Sequence, residues 1–124
     1  MTETWSSGGD GDPVTPDEAV GLLRERIAHG EPETWLTSSA GRSLVLVSNT
    51  ERVMVMLLDD ADDPGRHAVD PSAPGVSGGY VLSNGQVDVY PDADTVPLAE
   101  ALRIVRHVVD HGTAPPDAAW ADDR

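Results

Sequence analysis

The stretch Ser43-Leu44-Val45-Leu46-Val47-Ser48-Asn49-Thr50-Glu51-Arg52-Val53-Met54-Val55-Met56-Leu57-Leu58 holds two apolar runs broken by one polar turn. Each run is too short for a buried helix and is rich in branched side chains, so each suits a strand buried on both faces. Asn49-Thr50-Glu51 has turn composition. Two strands joined by so short a turn pair antiparallel, and the rest of the fold must be built around them.

Upstream, Trp35-Leu36-Thr37 forms a first short strand before the turn Ala40-Gly41-Arg42, and Trp35 is expected in the core. Further back, Thr15-Pro16-Asp17-Glu18 has the form of a capping box with Pro at the first helical position. Val20, Leu23 and Ile27 follow at helical spacing and Gly30 supplies a stop, which predicts a helix over 16–29. Residues 1–14 hold little to bury and read as an acidic tail without structure.

Downstream, residues 59–76 read as one long loop. Runs over 80–83 and 86–90 flank Asn84-Gly85, the signature of a hairpin whose two turn residues both take positive φ. Gln86, Asp88 and Tyr90 alternate with Val87 and Val89, which predicts one wet face carrying the polar set. Leu98, Ala101, Leu102, Val105, Val108 and Val109 make one apolar stripe, predicting a second helix over 97–111 closed by Gly112. Pro115 and Pro116 prevent its continuation, and Trp120 is expected to anchor the tail. The expected fold is α+β: an antiparallel sheet of about five strands, with an N-terminal and a C-terminal helix packed on one face. It forms a single domain over 15–124.

Composition narrows function. The 124 residues carry 22 Asp and Glu against 8 basic residues, all Arg, for a net charge of −14. There is no Cys, which excludes a disulfide scaffold and a thiol nucleophile. No apolar run is long enough to span a bilayer, and Met1-Thr2-Glu3-Thr4-Trp5 has no signal-peptide character, so a cytoplasmic protein is expected. The acidity disfavours direct nucleic-acid binding and favours a basic protein partner.

Three motifs invite a chemical reading. Gly75-Val76-Ser77-Gly78-Gly79 matches the nucleophile-elbow pattern, but a Pro-rich loop precedes it where a strand is required. His107 and His111 share a helix face and could hold a metal, yet that face is opposite the apolar stripe and the stretch lacks the zincin Glu. Asp59, Asp60, Asp62 and Asp63 resemble part of a calcium loop, but the Gly65 register puts Pro71 where the closing Glu belongs. That leaves a solvated, self-repelling loop or an acidic contact surface. The four aspartates are therefore the first candidate contact residues, with Tyr80, Asp88 and Tyr90 of the hairpin the second.

Together, several features resemble the Imm1 family of bacterial immunity proteins. They are Leu82-Ser83-Asn84-Gly85-Gln86, Tyr90-Pro91, Val96-Pro97-Leu98-Ala99-Glu100-Ala101-Leu102, Gly112, the prolines at 115 and 116, and Trp120. Trp35-Leu36 and the Gly41 to Leu44 spacing fit as well, so the likeness spans 33–120. Val108 departs from it, standing where a large aromatic residue is expected. The resemblance implies a small cytosolic α+β inhibitor that needs no cofactor and catalyses nothing. Its implied partner is a cognate toxin domain with a basic groove, often of the deaminase type. The resemblance carries over no contact residue. The apolar strands from 44 to 58 would be sticky at a sheet edge, so a weak homodimer stays open beside a monomer. An acidic interaction domain with no toxin partner, or a metalloenzyme built on His107 and His111, are the alternatives.

Overall fold

The computed structural model describes residues 3–7, 13–31, 33–60, 62–82 and 84–123. Within them the chain is α+β. Helix α1 (Pro16–Ala28) follows strand β1 (Trp5–Ser7), and helix α2 (Leu98–His111) precedes the last strand, β9 (Trp120–Asp122). Between the helices run β2 (Glu33–Ser38), β3 (Ser43–Ser48), β4 (Arg52–Leu58), β5 (Arg66–Ala68), β6 (Val76–Val81), β7 (Val87–Pro91) and β8 (Val96–Pro97). The main sheet has the order β1-β2-β3-β4-β5-β9, with β8 beside the start of β4, and every pairing is antiparallel. β6 and β7 form a separate two-stranded ribbon.

The local signals that set the helices act as expected. The Thr15 hydroxyl accepts from the Glu18 N–H at 3.1 Å, and the Glu18 carboxylate accepts from the Thr15 N–H at 2.9 Å. Gly112, in the left-handed region, ends α2 and donates its N–H to the Val108 carbonyl. Strands 43–48 and 52–58 occupy the interior of the sheet, so their apolar edges are not open to a second copy.

One buried cluster joins Leu36, Leu44, Leu46, Val53, Val55 and Leu57 of the sheet to Leu23 of α1 and Ile104, Val105 and Val108 of α2. The opposite side of β3 is buried as well, through Val45 and Val47. There the β6–β7 ribbon lies against β3, tied by the Asn49 side-chain amide donating to the Gly78 carbonyl at 3.1 Å.

Four expectations are corrected. Residues 1–14 are not a structureless tail throughout: Trp5 is 1% exposed in the core, and β1 extends the sheet beyond β2. One large apolar side chain and a free strand edge outweigh the polar composition around them. Residues 8–12 lie outside those described. Trp35 is 48% exposed while its neighbours Thr34 and Leu36 are buried, because strand alternation gives the inward positions to the other two. The 59–76 stretch is not one loop, since β5 and the start of β6 fall within it. The hairpin turn is not a two-residue turn, since Thr50 alone among the described non-glycine residues has positive φ. Instead the Gly85 N–H donates to the Leu82 carbonyl, the Leu82 N–H donates to the Gln86 carbonyl, and Gly85 alone takes the left-handed conformation, at φ 87°. This is a longer turn closed by a left-handed residue.

Candidate functional site

The acidic segment after β4 is a self-organised turn. The Asp63 carboxylate accepts from the Asp59 and Gly65 N–H groups at 2.8 and 2.9 Å, and Asp60 accepts from the Asp62 N–H at 2.8 Å. These are the local side-chain bonds that Asp offers a turn. Asp59 also lies 3.4 Å from the Arg42 guanidinium. Asp60 and Asp62 are exposed. The four nominated aspartates therefore stand together, with the Asp60 and Asp63 carboxylates shaping the turn and Asp59, Asp60 and Asp62 exposed.

The ribbon reverses the expected faces. Tyr80, nominated as a surface contact, is 0% exposed. The cause is a bulge: Ser77 faces Tyr90 but Tyr80 faces Asp88, so β6 carries one extra residue at Gly78-Gly79. Gly79 takes φ 85°, and the slip turns Tyr80 from the Val76 side to the Ser77 side. Its ring meets that of Tyr90 at 4.7 Å between centroids. Asp88 and Tyr90 share this inner side and are half-buried, with the Tyr90 hydroxyl donating to Asp88 at 2.8 Å and the Gln86 amide donating at 2.6 Å. Burial, then the Asp88 bond and charge, push the Tyr90 phenol up to about 12. Burial also raises Tyr80, partly offset by Thr95 and Arg52, although its hydroxyl has no hydrogen-bond partner of ordinary geometry. The exposed face is the apolar one: Val87 is 63% and Val89 61% exposed, beside exposed Val76 and Val81.

A cleft of about 290 Å³ is lined by Met54 and Met56 of β4, Tyr90 of β7, and His67, Asp94 and Asp123. No sequence signal had pointed to this group, because it joins three distant positions. The His67 ring is held at both nitrogens, Nε2 to Asp94 at 3.0 Å and Nδ1 to Asp123 at 2.8 Å. Only the imidazolium can donate to both. Burial lowers its pKa, but the bonds and charges of Asp123 and Asp94 outweigh that and the net shift is upward. Close by, the Arg52 guanidinium donates to the Asp70 carboxylate at 3.0 Å, to the Thr95 hydroxyl at 2.8 Å and to the Asp92 and Thr95 carbonyls. This ties β4 to the turn before β8.

The remaining motifs are accounted for locally. Ser77 stands in β6, with no helix after it, and its hydroxyl donates to Asp92. The His107 and His111 rings lie 4.5 Å apart, and His107 Nδ1 is 2.7 Å from the Thr113 carbonyl oxygen. Among the described residues no group of three or more His, Asp or Glu side chains is placed to hold a metal ion. None of their helices is long and apolar enough to cross a membrane.

Arginine placement decides the electrostatics. Arg26, Arg42, Arg52, Arg103 and Arg106 each pair with carboxylates, the last with Asp17, and Arg66 stacks over Trp120. These pairs leave the net charge of −14 unchanged, so the overall field is acidic, while Arg24, Arg103 and Arg106 are exposed and line one groove on the helices. No family model matches the chain and no curated protein matches it.

Proposed function

We propose that this chain is an immunity protein that binds and neutralises a cognate toxin domain in the cytoplasm of the producing cell. The toxin is of a kind that works on nucleic acid or nucleotides, the deaminase type being the one the Imm1 resemblance favours. The inhibitor acts by occupying the toxin's active site or substrate groove, without catalysis, cofactor or nucleic-acid contact of its own. The observation that carries this reading is the charge balance: 22 Asp and Glu against 8 Arg give a net charge of −14, so the overall field is acidic even though Arg24, Arg103 and Arg106 stand exposed on the helices. A groove that receives phosphates is positive, and an acidic protein is steered into it faster than a neutral one.

Co-expression with the toxin domain encoded beside its gene tests this. Rescue of growth and co-purification are expected. Association should slow as salt rises, and Asp60→Lys with Asp62→Lys should slow it further. A neighbouring toxin domain that still kills, and does not co-purify, would refute the proposal.

A further inference from the structure

The β6–β7 ribbon presents its valines to solvent and its polar residues inward. Val81 faces Val87 across the ribbon, Val76 faces Pro91, and Val89 lies over Gly78, so the outer side is one continuous apolar strip. Its Val81 end does not stop at the ribbon edge. Val81 also lines two adjoining grooves against the end of α1, one with Ile27, Gly30 and Gly79, the other with Arg26, Gly30, Glu31 and Glu33. The surface thus runs from bare valine to a charged end that holds Glu31, Glu33 and Arg26, with Arg26 3.5 Å from Glu31.

We propose that this strip and its adjoining grooves form the docking face for a basic protein, whose apolar patch covers the valines and whose Lys or Arg reaches Glu33 and shares Glu31 with Arg26. The inference rests on the immunity reading for the identity of the partner. Charge selects the occupant. A second copy of this chain would bring another −14 against the first, whereas a basic protein gains at the acidic end and buries the apolar one. Size argues the same way. A stable interface needs roughly 800 Å² a side, more than four valines supply, so the contact must extend into the grooves. An apolar centre with a charged rim is the usual anatomy of such a surface.

The test uses the purified full-length chain and the toxin domain encoded beside its gene, with affinity measured by calorimetry. Val87→Asp with Val89→Asp places charge in the centre of the strip and should weaken binding on the order of a hundredfold. Val87→Thr with Val89→Thr keeps shape and strand preference, and should weaken binding by roughly tenfold with an unchanged circular dichroism spectrum. If the Asp pair fails to fold, the Thr pair decides. Full affinity in the folded variants, with wild-type binding intact, overturns the docking face and leaves the immunity reading standing. No binding by the wild type overturns both.

Discussion

At the scale of single residues, the ribbon shows what alternation can and cannot say. The pattern Val87-Asp88-Val89-Tyr90 separates two faces but does not say which one faces inward. Across the ribbon, the bulge at Gly78-Gly79 aims Tyr80 inward, so the polar side of β7 faces the sheet as well. Tyr80 was legible as a ribbon residue and illegible as a core residue, because one inserted position reverses every side chain beyond it. The consequence is measurable by denaturant titration. Tyr80→Ala should cost about 3–5 kcal/mol, as truncation of a buried aromatic does. Val89→Thr, on the exposed face, should change stability by only about 0.5 kcal/mol. Thr50 is the other informative residue. It is exposed and sits at φ 82°, a conformation that β-branched residues resist. Thr50→Asn should raise stability by about 0.5–1 kcal/mol, since Asn tolerates that region. An unchanged or lower unfolding midpoint would show that the strain is absorbed elsewhere.

At the scale of elements, long periodic segments were readable and short ones were not. Each helix carries a strong signal at one end, Thr15 with Glu18 at the start of α1 and Gly112 at the close of α2. β3 and β4 announce themselves by unbroken apolar runs. β1, β5, β8 and β9 have two or three residues each, too few for any period, and are strands only because a neighbour offers an unpaired edge. Of the candidate site, the acidic turn was legible because four aspartates are adjacent in sequence. The cleft was not, because His67, Asp94 and Asp123 meet only after β5, β9 and the Asp92–Asp94 turn have assembled. β1 supplies the element-scale prediction. Trp5 fills the core beneath the Arg42 guanidinium, whose carbon lies 5.7 Å from the ring centroid. Trp5→Ala should cost about 3–5 kcal/mol. A cost under about 1 kcal/mol would show that β1 merely lies against a fold complete without it.

At the scale of the whole molecule, the His67 clamp is where distant parts of the chain are fastened. β5 holds the ring, the turn before β8 supplies Asp94, and the residue after β9 supplies Asp123, so one imidazolium links an internal strand, the approach to α2 and the C-terminal edge. The groups around the ring are these two carboxylates, the Tyr90 phenol, and the apolar Met54 and Met56. Because the folded-state pKa of His67 is raised above its ordinary value of 6.5, the folded protein binds that proton more tightly than the unfolded chain. The clamp's contribution is therefore complete below about pH 6.5 and is lost as pH rises through the folded-state pKa. Above it the neutral ring can donate to only one carboxylate, and two carboxylates face each other with no cation between them. Unfolding midpoints taken from about pH 6 to pH 9 should fall for the wild type and stay flat for His67→Gln, which cannot titrate. The Asp123→Asn variant should lower the His67 pKa, read from its ring proton shifts, and move the fall to lower pH. A wild-type profile parallel to that of His67→Gln would mean that the clamp fixes geometry without storing stability. The C-terminal strand would then be held by its pairing with β5 and by Trp120 alone.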